Sequence, residues 1–171
     1  MKSALKSINT SNLFRISFIF AIIFAVSCAV GDGSSPGNIT DLTSEQLSRN
    51  LNWTAPGDKG NQGQATIYFV RFYDNVEVAE ILGVPNLDGV PFIEIEQAVR
   101  NNFNRATQIP DFQQPDVAGT PQNFVTPRLD TTGEMSFFYA IRTNDEVGNS
   151  SAPSNVAEFT TPFQSLKYVS N

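Results

Sequence analysis

The sequence contains no histidine and a single cysteine, Cys28. Without histidine, neither a Cys-His nor a Ser-His nucleophile pair can be assembled, and the His-Glu-x-x-His signature of zinc peptidases is missing. With one cysteine no disulfide forms within the chain, so packing alone must hold the fold. Long apolar runs are scarce as well. The uncharged stretch from Ile16 to Val30 covers about 15 residues before Asp32, whereas spanning a bilayer takes roughly 20. Positive charge is also thin after Cys28. All seventeen acids lie beyond it, while three of the eleven Lys and Arg precede it; eight bases against seventeen acids give a net charge of −9. That balance disfavours nucleic acid and bare anionic membrane surfaces as partners. What the sequence has in abundance is phenylalanine, fourteen in all, together with many β-branched residues, a composition that suits a sheet-rich domain. About 143 residues follow Cys28, one domain's worth of chain and enough to bury a core.

Lys2, Lys6 and Arg15 form a positive region ahead of the apolar stretch, which is the pattern of a signal peptide. Small residues then precede Cys28 in Ala25-Val26-Ser27-Cys28, which resembles the lipobox of bacterial lipoproteins, with Ala25 where that family usually has Leu. The resemblance implies that residues 1–27 are removed and that Cys28 becomes a lipid-modified N-terminus bound to a membrane. Ala29 stands where an aspartate is associated with inner-membrane retention, which implies the outer membrane or cell surface of the envelope. Plain secretion and an uncleaved anchor are the alternatives at this point. Residues 28–37, rich in Gly, Ser and Pro, read as a flexible tether. At about 3.3 Å per residue it keeps the domain within a few nanometres of its lipid.

From residue 38 onward, short alternating segments separated by turn clusters predict an all-β sandwich. In residues 48–54, Leu51 and Trp53 share a face opposite Asn50, Asn52 and Thr54. In residues 65–73, Tyr68, Val70 and Phe72 take one face and Ile67, Phe69 and Arg71 the other, as in a central strand. In residues 135–143, Phe137, Tyr139 and Ile141 alternate with Phe138, Ala140 and Arg142; in residues 154–161, Ala157 and Phe159 alternate with Val156 and Glu158. These alternations predict a core of Leu51, Trp53, Tyr68, Val70, Phe72, Phe137, Tyr139 and Ile141.

Three pieces in order carry a resemblance to the fibronectin type III domain: residues 37–42, residues 51–58 around Trp53, and residues 139–149 continuing into Pro153-Ser154-Asn155-Val156. It implies a seven-stranded immunoglobulin-like sandwich over residues 38–162, with Trp53 packed between the sheets and residues 163–171 a tail. The family's corner tyrosine falls on Phe137, and the proline expected after Leu129 is Thr131, departures that weaken the corner hydrogen bond. No Arg-Gly-Asp triplet is present.

About 45 residues between the strand ending near Tyr73 and the one starting near Gln122 are too many for a plain loop and read as an insertion, about 75–120. Within it Ile95, Ala98, Val99, Phe103 and Ala106 predict an amphipathic helix over 94–107, ended by Pro110. Residues 99–106 followed by residues 119–124 resemble the C-terminal fibronectin-like domain of calcium-activated chloride channel regulator proteins. The protease and metal-binding domains of those regulators have no counterpart here, so their activities are not implied.

Candidate contact residues lie in two turn-rich loops. Asp58 and Asn61 stand in one, Asp145 and Asn149 in the other. Asp58, Asn61 and Gln62 offer oxygens to calcium but lack EF-hand spacing, and Asp145 and Glu146, being adjacent, point apart; no metal site and no cofactor is predicted. Asn38, Asn52 and Asn149 match the glycosylation pattern, relevant only in a eukaryotic source. The residues favour a non-enzymatic, lipid-anchored module that binds a protein or glycan. A two-acid glycan hydrolase and a secreted eukaryotic fragment are the alternatives.

Overall fold

The computed structural model describes residues 33–46, 49–110, 112–127 and 135–161, so Cys28 and the leader lie outside the described residues. In chain order the elements are β1 (Thr43–Glu45), β2 (Asn50–Thr54), β3 (Ile67–Asp74), α1 (Asn75–Leu82), α2 (Phe92–Asn101), a turn of 3-10 helix (Phe103–Arg105), β4 (Thr107–Gln108), β5 (Pro121–Val125), β6 (Ser136–Asn144) and β7 (Ala157–Thr160). All pairings between strands are antiparallel and form two sheets, ordered β1-β2-β5 and β4-β3-β6-β7. The fold is mostly sheet, a β-sandwich with two short helices on one side.

Alternation in the strands dictates this arrangement, because successive side chains point to opposite faces. Leu51 and Trp53 turn inward from β2 and are buried, Trp53 to 3% exposure, while Thr54 faces water. From the facing sheet come Tyr68 and Val70 of β3 and Phe137, Tyr139 and Ile141 of β6, with Phe72 half-buried beside them. The rings meet edge-on or tilted, Trp53 on Tyr68 at 5.4 Å and Phe72 on Phe137 at 5.8 Å between centroids. Phe112 joins them from the stretch after β4, 4.1 Å from Phe124. Tyr139, rather than Phe137, carries a buried hydroxyl next to Thr126 at the end of β5.

β6 is buried on both faces. Phe138 and Ala140 point away from the inner core into a second apolar layer with Tyr73 of β3 and with Val78, Ile95, Val99 and Phe103, which the helical segment supplies. The outer faces of β3 and β6 therefore need a cover, and the segment between β3 and β4 provides it.

That segment corrects the expected single helix over 94–107. Two helices are present, and the second spans Phe92–Asn101, starting and ending earlier than its apolar period suggests. A capping box starts α1: Asp74 accepts from the Glu77 N–H at 2.8 Å, and Glu77 accepts from the Asp74 N–H at 2.9 Å. Gly83, in the left-handed region, ends it. At Asn102, whose side-chain amide donates to the Ala98 carbonyl at 2.9 Å, the α-helix gives way to the 3-10 turn, and Arg71 donates to the carbonyls of Phe103, Asn104 and Ala106. Thr107 and Gln108 then pair with Phe72 and Arg71 as β4. Within residues 75–120 the helical part ends at Arg105, and Ile109 and Phe112 pack in the inner core.

Candidate functional site

Two places on the described residues bring polar groups together. The first is the end of the sandwich where the loops after β2 and after β6 meet. Segment 34–38 runs between them: the Gly37 N–H donates to the Gly57 carbonyl at 3.0 Å, the Ala152 N–H to Asn38 Oδ1 at 2.9 Å, and Pro36 bridges Gly60. The contact is too close for side chains. A Cβ on Gly37 would run into the Gly60 carbonyl, and one on Gly57 into the Gln62 backbone. Asp58 and Asn61 lie in this crossing, and Asp145 and Asn149 lie across the segment from them, with Asn149 Nδ2 3.4 Å from the Ser34 carbonyl. The predicted loops do share one end, but the incoming chain occupies the space between them.

Asp145 is 4% exposed and accepts from the Val147 N–H at 3.0 Å, the Asn149 N–H at 2.7 Å and Asn149 Nδ2 at 2.6 Å. Its carboxylate closes a turn, the Asx role such residues commonly play. A sugar on Asn149 Nδ2 would displace that bond, and Asn52 Nδ2 is likewise held by Glu45 at 3.2 Å. Lys59 and Gln62 exchange backbone hydrogen bonds across the other loop. Among the described residues no group of three or more Asp, Glu, His or Cys stands close enough to hold a metal ion.

The second place is the outer face of the larger sheet, where its helical cover stops. Arg142 stands opposite Phe69, and Arg71 opposite Ala140, so the two arginines are diagonal neighbours on one face. The Arg142 guanidinium lies 5.1 Å from the centroid of Phe103 and 5.8 Å from that of Phe69; Arg71 lies 5.6 Å from Phe103. Each such stacking stabilises by about 0.5–1 kcal/mol at exposed sites and more when desolvated. Burial, then the charge of Arg71, pulls the Arg142 pKa below its ordinary value. The sequence carried a signal for this pair, an arginine on an otherwise largely apolar face in both strands, but alternation alone does not show that the two faces are adjacent.

Beside this face opens a cleft of about 570 Å³ lined by Tyr73, Glu77, Glu80, Ile81, Asn102 and Arg105. Tyr73 donates to the Asn102 carbonyl at 2.8 Å, and burial raises its pKa. Of the two carboxylates in the cleft, Glu77 accepts the Asp74 N–H at 2.9 Å as part of the helix cap. No helix among the described residues is long and apolar enough to cross a membrane. No protein-family model matches the chain, and no curated protein matches it either.

Proposed function

We propose that the chain is a non-enzymatic binding or scaffolding module with a fibronectin type III-like domain, held at an envelope membrane through lipid on Cys28. Support for the domain comes from the sheet orders, which follow the Greek-key pattern of immunoglobulin-like sandwiches with the fourth strand added to the larger sheet, and from Trp53 lying between the sheets. The observation that carries the anchored reading is Cys28 itself, the only cysteine, placed directly after a basic and apolar leader.

Anchoring at Cys28 fixes which surface is presented. Segment 34–38 is fastened to the loop end, so only about five residues separate Cys28 from the domain, and at about 3.3 Å each they reach roughly 17 Å. The loops carrying Asp58, Asn61, Asp145 and Asn149 then face the membrane, and a partner in the envelope meets the helical side or the far end.

Mass spectrometry of the mature N-terminus tests the anchor. A diacylated or triacylated Cys28 is the expected terminus, and Cys28→Ser is expected to move the protein from the membrane fraction to the soluble one. A terminus elsewhere without lipid, or unchanged partitioning of the variant, would refute it.

A further inference from the structure

Most side-chain charges of the domain are exposed or answered by a nearby group. Asp41 accepts the Thr54 N–H, Asp74 and Glu77 cap α1, Asp116 accepts from Gln122, and Arg100 pairs with Glu96 at 3.6 Å. Arg71 and Arg142 stand apart from this pattern. They are half-buried like charges side by side in a chain with an excess of acids, yet no carboxylate among the described residues forms an ion pair with either. Arg71 directs its Nη groups to the carbonyls of residues 103, 104 and 106 and to Gln108. The Arg142 guanidinium makes no hydrogen bond to any described group, and the Nε atoms of both arginines are buried without an acceptor.

Such an arrangement is unfavourable on its own: like charges on one sheet face repel, and a desolvated donor without an acceptor loses the bond that water would give it. Stacking on Phe69 and Phe103 relieves part of the charge but accepts no N–H bond in the guanidinium plane. A planar oxyanion would do both at the outer edge of Arg142, whose two Nη groups match a carboxylate in two parallel bonds, while the buried Nε atoms stay out of its reach. Ile67, 42% exposed, continues the face past the half-buried Phe69 ring, with Asn144 opposite it.

We infer that Arg142, with Arg71 beside it and Phe69 as an apolar floor, forms a binding site for a carboxylate carried next to an apolar group. The aromatic and aliphatic floor favours a peptide carboxylate over a sugar acid. Arg71 has a second role as the clamp on the 3-10 turn, so the ligand's main contact is Arg142.

The test uses the full chain in detergent, with benzoate, N-acetylphenylalanine, benzamide and glucuronate added separately while the arginine Nε–H signals are followed by NMR. Benzoate and N-acetylphenylalanine are expected to give saturable shifts of the Arg142 signal, and neutral benzamide none. Arg142→Gln is expected to weaken benzoate binding at least tenfold. Arg142→Lys, which keeps the charge and the stacking stem but removes the fork, is expected to do the same with an unchanged melting temperature, which separates lost binding from lost folding. Equal shifts with benzoate and benzamide, or benzoate binding that survives in Arg142→Lys, would overturn the site. Glucuronate binding as tightly as benzoate would overturn its apolar half and reassign it to acidic sugars.

Discussion

Between the sheets, Trp53, Tyr68, Phe112 and Phe124 meet ring to ring; on the other side of β3 and β6, Phe103 meets two guanidinium groups instead. The inner layer joins residues from both sheets, distant in sequence, and its largest side chains are sealed from water. The outer layer is built by one local stretch folded back on the sheet, with charged groups at its margin. The difference teaches which layer holds the domain and which can give way. Opening the inner layer separates the sheets, whereas opening the outer one frees only the helical cover, the kind of local unit that exchanges before the whole molecule unfolds.

The strongest way to break this comparison is to empty the inner layer. Trp53→Ala is expected to destabilise by about 3–5 kcal/mol, read from urea unfolding, with both sheets lost together. A variant that loses less than about 1 kcal/mol would mean that the inner rings do not carry the fold.

Alkali attacks the same layer by another route. Burial pushes Tyr68 and Tyr139 up to about 12 from the ordinary 10. Above pH 10 the unfolded chain ionises these phenols while the folded one keeps them protonated, so the unfolded state binds fewer protons and stability falls as pH rises. It is fully present below pH 10 and lost through the window up to about 12, at up to about 1.4 kcal/mol per pH unit for each tyrosine. By pH 11 the two together cost about 3 kcal/mol, measurable from the urea midpoint. A midpoint constant from pH 9 to 11 would contradict the burial of these hydroxyls.

The outer layer offers the smaller effect. Val99→Ala removes two buried methyl groups from α2 and is expected to cost about 2 kcal/mol. Its signature sharpens the comparison: amides of α1 and α2 exchange faster with solvent, while those of β2 and β6 keep the protection set by global unfolding. Equal acceleration in both layers would show one cooperative unit.

Much of the sandwich was legible in the sequence because strand alternation is a local signal. The faces of β2, β3 and β6 follow directly from Leu51 and Trp53, from Tyr68 and Val70, and from Phe137, Tyr139 and Ile141. The helical cover was legible only in part. Val76-Glu77-Val78 alternates like a strand, and what makes it a helix is the cap pair Asp74 and Glu77 with Gly83 at its end. The early end of α2 is only partly local: Asn102 caps it by donating to the Ala98 carbonyl, while Arg71, more than thirty residues earlier, donates to the carbonyls of the next turn. The loop residues illustrate the same limit. Asp145 and Asn149 are polar and turn-forming in sequence, but whether they face solvent or each other is decided by the segment that passes between the loops. The arginine pair escaped notice because its significance lies in the register of β3 against β6, which places two charges side by side that sequence distance keeps about seventy positions apart.

The fastening of segment 34–38 has a mechanical consequence. Tension applied to the chain ahead of Gly33 is not delivered first to β1, the short edge strand. It arrives at the bonds from Gly37 to Gly57 and from Ala152 to Asn38, which tie the incoming chain to the loops after β2 and after β6. These attachments belong to different sheets, so a pull is shared across the sandwich at its first point of contact. The crossing at Gly37 and Gly57 works as a strain relief, and the edge of the smaller sheet is shielded from peeling.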